Sequence, residues 1–487
     1  MFVCYDTPPG AYTGAVDTNG SANVATQEEP LSRSFVSERP SAAHGSSTRT
    51  DIRWLIAILL VALVLRVLWT GAVQPDPRDG RFDDSIWYYG TATHLAAGDG
   101  YVFPGDAFCQ FGDGIGCDEL PPTALWAPGY SVALAAVFQL PGDDVAAARA
   151  LNVVAGLALV ALVYYLGRRL WSSRAGLIAA AIIAVFPSHI FFSSLVLAET
   201  LFAAMAVGLL CLALAWTMGE TATRPRLLTL GVAAAALAMV RPEGIVFLGV
   251  IVLAWIAVHR TPRRVAAYAG WLALGAAVLF VPWTVRNAVQ LGWPTPGTTG
   301  MGQVLIQAHN PEAGGEPNIY IATRLYDDYD EIPWPEREVT INREATKESV
   351  SYALHNIPRE LTLMPLRFAA FYRGDRGGVD WNQREDGRGR RQLSAGAANI
   401  WGAVADSYYY SVLAVGIFGL PLWIRKSRGV HWLLWGPIVI YSLMWWFLFV
   451  GESRYHFPLL PLFALIAAIG LAALSERWWP DTREAPS

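Results

Sequence analysis

Ten apolar runs, most of them long enough to cross a bilayer, decide what this chain can fold into: residues 54–73, 145–166, 175–192, 196–218, 227–240, 244–258, 265–283, 403–424, 431–450 and 457–474. In hydrocarbon each backbone N–H and C=O must be satisfied within the protein, which for runs of this length selects the helix. About 20 residues at roughly 1.5 Å rise each cross the membrane core. The two runs flanking Arg241 are the shortest. With 54% hydrophobic and only 16% charged residues, and 20 Trp, the composition is that of a chain using lipid as solvent. The expected fold is therefore all-α and polytopic, with about ten transmembrane helices. The net charge of −4 gives no indication of nucleic-acid binding.

Orientation follows from the arginines, because short cytoplasmic loops retain Lys and Arg. The groups Arg168-Arg169-Arg174, Arg224-Arg226, Arg260-Arg263-Arg264 and Arg425-Lys426-Arg428 alternate correctly if both termini are inside. The short links FPSHIFFSS, RPEG and GESRYH then face outward, as do two long segments, 74–144 and 286–402. Residues 1–51, polar and without apolar periodicity, are expected to be a disordered cytoplasmic tail. Residues 52–474 form the membrane domain and 475–487 a second cytoplasmic tail. The first apolar run begins behind a long polar leader, so a retained helix is expected rather than a cleaved signal. The expected location is the cytoplasmic membrane.

The charged residues that break these patterns are the functional candidates. Asp83 and Asp84, in FDDSIWYYG, follow the first span on the outer side. Arg241 and Glu243 in VRPEG, Arg286 in PWTVRN, and Glu452 and Arg454 in GESRYHFP sit at outward helix ends, against the inside bias. One such arginine is equally a snorkelling anchor or half of a local salt bridge. Several converging on one layer suit a phosphate headgroup, which guanidinium binds bidentately. Arg66, late in the first span, either joins them or snorkels. Glu199, in SSLVLAETLF, is a helix-start acid that serves as a cap or meets a metal or sugar hydroxyl; nearby His189 is more simply an interface residue.

Cys109 and Cys117, eight apart in CQFGDGIGC, lie in an outward, oxidising segment and are expected to pair, the alternative being two free thiols under the loop. Cys211 in a span and Cys4 in the tail are expected to be free. The segment PTALWAPGYSVALAAVFQL reads as an interfacial helix, with Trp126, Pro128 and Tyr130 at the boundary. In the second long segment, Tyr352, Leu354, Ile357, Leu361 and Leu366 suggest amphipathic helices resting on the membrane. The acidic-aromatic stretch LYDDYDEIPWPERE reads first as a solvated loop and second as a part that recognises the acceptor, and Asp380 and Trp381, in GGVDWNQ, are weaker candidates still.

The order of these pieces resembles the GT-C superfamily of integral-membrane glycosyltransferases, in the branch of protein O-mannosyltransferases and lipid A aminoarabinose transferases. The residues carrying the resemblance are Arg66; Asp83-Asp84 followed by Tyr88, Ala92, Leu95 and GDGY; PTALWAPGY; AARALNVVAG with YYLGRRLW; FPSHIFFSSLVLAETLF; MVRPEG; PWTVRN; and GESRYHFPLLPLFAL. It runs from about Leu55 to Leu474, with a poor match in the second long segment. The resemblance implies a polyprenyl-phosphate sugar donor, a lipid, glycan or protein acceptor hydroxyl, and inversion at the transferred sugar. It places the general base on Asp84 with Asp83 beside it. It places phosphate-binding arginines at Arg286 and Arg454, with Arg241, Glu199, Tyr88 and Arg66 as further substrate-binding candidates. Members divide between those that need a divalent metal ion and those that do not, and the residues fit either. The competing functions are a lipid-linked-sugar transporter or flippase, and an oligosaccharide ligase or polymerase.

Overall fold

The computed structural model describes residues 45–78, 84–109, 120–219, 221–259, 261–383, 392–426 and 429–478. The described residues are helical, with one isolated bridge between Val102 and Pro122 as the only extended pairing among them. The first helix, α1 (Gly45–Ala72), starts inside the stretch read as a tail. The first long segment holds α2 (Asp84–Ala97), α3 (Gly105–Cys109) and α4 (Pro128–Phe138). The bundle continues through α5 (Asp144–Leu170), α6 (Ser173–Ala184), α7 (Pro187–Phe191), α8 (Glu199–Thr217), α9 (Arg224–Val240), α10 (Ile245–His259) and α11 (Pro262–Leu291). The second long segment builds α12 (Met301–Ala308), α13 (Ile319–Asp328), α14 (Glu336–His355), α15 (Ile357–Tyr372) and α16 (Gly377–Asn382). The chain returns to the bundle as α17 (Ala395–Lys426), α18 (Trp432–Gly436), α19 (Ser442–Leu448) and α20 (Leu460–Trp478).

Among the described residues eight helices are long and apolar enough to cross a membrane, or nine if the bent pair Ser173–Ala184 and Pro187–Ser194 counts as one broken span rather than a re-entrant loop. The chain is a multi-pass membrane protein. All ten apolar runs are helical, but α9 has only 17 residues, roughly 26 Å at the helical rise, which is short of a full hydrocarbon crossing.

The 58° bend between α6 and α7 follows from Pro187, which lacks an N–H and pushes the preceding Phe186 into extended backbone. The break strands the last carbonyls of α6, and Arg66 from α1 takes them up. Its guanidinium donates to Ala184 at 3.0 Å and Ile183 at 3.4 Å, and to Ala62 of its own helix at 3.1 Å. Gly156 leaves room for it, since a Cβ there would stand 2.8 Å from Arg66 Nε. The helices otherwise pack through small residues. At Gly231 a Cβ would approach the Leu272 carbonyl of α11 to 2.1 Å, so α9 and α11 meet backbone to backbone.

The interfacial elements differ from the sequence-based expectation at one point and agree with it at another. Tyr130 is fully buried instead of sitting at a boundary, edge-on to Tyr88 at 5.0 Å and hydrogen-bonded to Asn152. Along α14 and α15, Leu354, Ile357, Leu361 and Leu366 do turn an exposed apolar face outward, as membrane-surface helices would.

The two long segments are clasped together by Glu338 of α14. Its buried carboxylate accepts from Thr123 Oγ1 at 2.5 Å and Ala124 N at 2.8 Å, and also from Thr299 Oγ1. Burial pushes this carboxyl above its ordinary range, against the pull of the three donors. Glu338→Ala is expected to lower stability by about 3 kcal/mol, since three buried donors lose their acceptor at once. Thermal unfolding in detergent checks this, and a change under about 0.5 kcal/mol would mean the clasp is not needed.

At the far end of α2, His94 sets Nδ1 2.9 Å from Asp99 and Nε2 3.0 Å from Asp106. Burial opposes protonation, but the two carboxylates outweigh it and raise the histidine above its ordinary value. A raised folded value stabilises below the unfolded value near ~6.5 and is lost as pH rises through the folded one. Hydrogen exchange in residues 94–109 should therefore be slower at pH 6 than at pH 8.5 after correction for intrinsic rates. His94→Gln should remove the difference, and an equal difference in that variant would contradict the assignment.

Candidate active site

The site gathers at one end of the bundle, built from helix ends contributed by four parts of the chain. Asp84 is the first residue of α2 and Glu199 the first of α8, so both carboxylates sit where the helix dipole favours negative charge. Arg241 caps the C-terminus of α9 in extended backbone, and the 3₁₀ turn Pro242–Gly244 after it carries Glu243. Arg454 is the second residue of the 3₁₀ stretch Ser453–Leu459 that leads into α20.

These residues form a continuous alternation of charge. Arg454 donates to Asp84 at 2.7 Å and to Glu452 at 3.2 Å, and stands 3.8 Å from Glu199. Glu199 in turn accepts from Arg241 at 2.7 Å, and Arg241 donates to Glu243 at 2.5 Å. Glu199 is the most deeply buried member, with a side chain only 3% exposed. Its second carboxylate oxygen, Oε2, has no hydrogen-bond partner among the described residues. Arg454 also lies over the ring of Trp381 at 4.2 Å and that of Tyr455 at 5.1 Å, which desolvates the cation without removing its donors. Tyr88, one turn into α2, is buried beside this group. Burial holds its phenol protonated well above the ordinary range, within the field of Arg241, Asp84, Glu199 and Glu243.

The structure thus brings together Asp84, Arg454, Glu199, Arg241 and Tyr88. Arg286 stands elsewhere: it donates to the backbone carbonyls of Thr123 at 2.6 Å and Tyr101 at 2.5 Å, and none of its recorded partners belongs to the cluster. There it fastens the first long segment to α11. Arg66 is occupied at the α6–α7 break. His189 is wholly buried between the rings of Phe186 and Phe457, and among the described residues neither ring nitrogen finds a hydrogen-bond partner. Asp83 and Cys117 lie outside the described residues, and so does the Cys109–Cys117 pairing. Cys211 is free and buried. Among the described residues no group of three or more His, Cys, Asp or Glu could hold a metal ion.

Sequence reasoning undervalued Trp381, which proves to be the ring over Arg454, and missed Tyr455 and Tyr441, whose hydroxyl is 3.5 Å from Glu243. The only signal for them was their place beside outward helix ends.

Residues 111–322, under half of the chain, match the family described as a predicted membrane protein, DUF2142. No curated protein matches the chain in sequence. In structure the chain is similar to the archaeal oligosaccharyltransferase AglB from Archaeoglobus fulgidus in complex with an inhibitory peptide and a dolichol-phosphate. That likeness has a TM-score of 0.53 at 13% identity, over 91% of this chain and 53% of the other. The apo form of the Archaeoglobus enzyme gives 0.51 at 14% identity, over 90% and 52%. This chain therefore spans about half the length of those relatives. ArnT from Cupriavidus metallidurans bound to undecaprenyl phosphate covers 89% of this chain and 81% of its own at 13% identity, with a TM-score of 0.39, too weak to bear on the fold. The fold of the chain is thus similar to that of the membrane-embedded part of the Archaeoglobus oligosaccharyltransferase that it matches.

Proposed function

We propose that this protein is a glycosyltransferase that moves a monosaccharide from a polyprenyl-phosphate donor to a hydroxyl of a lipid, glycan or protein acceptor. It works at the non-cytoplasmic face of the cytoplasmic membrane. The observation that carries this proposal is the Asp84–Arg454 pair, 2.7 Å apart, a carboxylate and a guanidinium held together among helix ends of a fold similar to that of an oligosaccharyltransferase.

In this mechanism the donor phosphate binds Arg454, with Arg241 behind it through Glu199. The guanidinium that now pairs with Asp84 turns to the phosphate, and Asp84 is left to accept the acceptor proton. The acceptor oxygen bonds to the anomeric carbon from the face opposite the phosphate. The bond from that carbon to the phosphate oxygen breaks, and the polyprenyl phosphate leaves with the electron pair. Arg454 stabilises the charge that grows there, and the sugar is inverted. Asp83, next in sequence, raises the basicity of Asp84 as a like charge. Tyr88 supports the cluster from below, while Arg286 shapes the donor side indirectly by fixing the first long segment. Arg66 acts only through the α6–α7 break.

A ligase that transfers a whole oligosaccharide is the second candidate, supported by the likeness to an oligosaccharyltransferase fold. The size and anomeric configuration of the transferred unit distinguish the two. Mass spectrometry and NMR of the product should show one sugar residue with inverted configuration. A transferred oligosaccharide would replace this reading with the ligase.

A further inference from the structure

A buried polar cluster beside the site plays no part in the chemistry above. His456 is fully buried, with Nδ1 2.5 Å from the Phe371 carbonyl and Nε2 3.3 Å from Asp375 Oδ1. A carbonyl only accepts, so Nδ1 carries a hydrogen. The other ring nitrogen faces a carboxylate oxygen, so one proton must lie between them, on Nε2 as an ion pair or on Oδ1 as a neutral pair. Without it, two lone pairs would confront each other in a buried site. Asp375 Oδ2 accepts from Ser188 Oγ at 2.5 Å, and the Asp375 N–H donates to Asp406 Oδ1 at 2.7 Å. Asp406 is thus a second negative charge facing the pair, and burial pushes the Asp375 carboxyl up. The imidazole lies nearly parallel to the rings of Tyr409 at 4.8 Å and Tyr372 at 6.4 Å.

What this cluster fixes is α16. Asp375 stands two residues before the helix, and His456 two residues after Arg454. A Cβ at Gly378 would come within 2.9 Å of Phe191, and Asn382 is bonded to the Phe191 carbonyl at 3.1 Å and to Ser194 at 2.8 Å. The helix is therefore wedged against α7 with Trp381 over Arg454. We propose that Asp375 and His456 form a one-proton clamp that, through α16, holds Trp381 against Arg454 and so sets the guanidinium for a polyprenyl phosphate. The three are positioning residues, and the proposal rests on Arg454 being the phosphate-binding group.

The test is binding of undecaprenyl phosphate and dolichyl phosphate to the full chain in detergent, with unfolding temperature measured alongside. Asp375→Asn can offer an amide N–H to Nε2 and its carbonyl oxygen to Ser188, replacing the shared proton. Asp375→Ala and His456→Ala cannot, and Trp381→Leu keeps the clamp but removes the ring. Affinity should stay within about twofold for Asp375→Asn and fall about tenfold for the other three. In transfer assays the loss should appear as a raised donor KM more than a lowered kcat. Asp375→Asn as damaging as Asp375→Ala, or Trp381→Leu binding like the parent, overturns the clamp. Both variants keep the test decisive if the alanine variants fail to fold. Arg454→Ala in the same series separates the two claims. Undiminished binding there removes the phosphate assignment, whereas loss there with parental binding in Trp381→Leu removes only the clamp.

Discussion

Asp84→Asn is expected to lower sugar transfer by about 10³-fold while leaving polyprenyl-phosphate binding in place, because only the proton acceptor is lost. The asparagine keeps the shape of the side chain and can still accept from Arg454, now 2.7 Å from the carboxylate, so folding should survive. Asp83→Asn should cost much less. Transfer rates and donor affinity measured side by side separate the chemical step from binding. A variant that transfers at nearly the parental rate would remove Asp84 from the mechanism.

Arg454→Ala should have the second largest effect and should differ in kind. It removes a charge partner from Asp84 and Glu452 and a second cation from Glu199, so a loss of about 3 kcal/mol in stability is expected beside the loss of donor binding. Arg454→Lys should recover much of the stability but little of the transfer, since an ammonium keeps the charge without the planar fork. Alanine at Arg260 or Arg425, which follow the inside bias, should change transfer by less than about threefold. If all four substitutions cost the same, the effect is one of folding or topology, and the phosphate-binding role fails.

What could be read from the sequence follows from how strongly lipid constrains it. Apolar runs announce helices because the bilayer allows little else, and all ten runs are helical. Arg241, Glu199 and Arg454 stood out because a charge at an outward helix end contradicts its surroundings, and the structure gathers them with Asp84. Arg286 stood out for the same reason, yet its recorded partners are Tyr101, Thr123 and Asn287. A sequence signal for unusual charge does not say what the charge will meet. The short α9 was legible, since its run is one of the two shortest, but the bend at Pro187 was hidden because hydropathy registers apolar content rather than continuity.

The contacts that escaped notice join residues far apart in the chain. Ser188 meets Asp375, Thr123 meets Glu338, and Trp381 covers Arg454. No local period marks such pairs. Serine in a helical turn and glutamate in an acidic stretch look ordinary until the partner arrives. The second long segment, whose resemblance to known sequences is weakest, supplies most of them.

The most direct test of the central claim is transfer by the purified chain in detergent, where there are no two sides and a transporter has nothing to do. A panel of labelled polyprenyl-phosphate sugars is supplied with lipid, glycan and peptide acceptors. The account predicts that, for one donor class, label passes to acceptor while free polyprenyl phosphate appears in equal amount, and that Asp84→Asn abolishes both. Donors that bind tightly but are recovered intact with every acceptor, together with movement of the same lipids across the bilayer in proteoliposomes, would contradict it and make the protein a transporter.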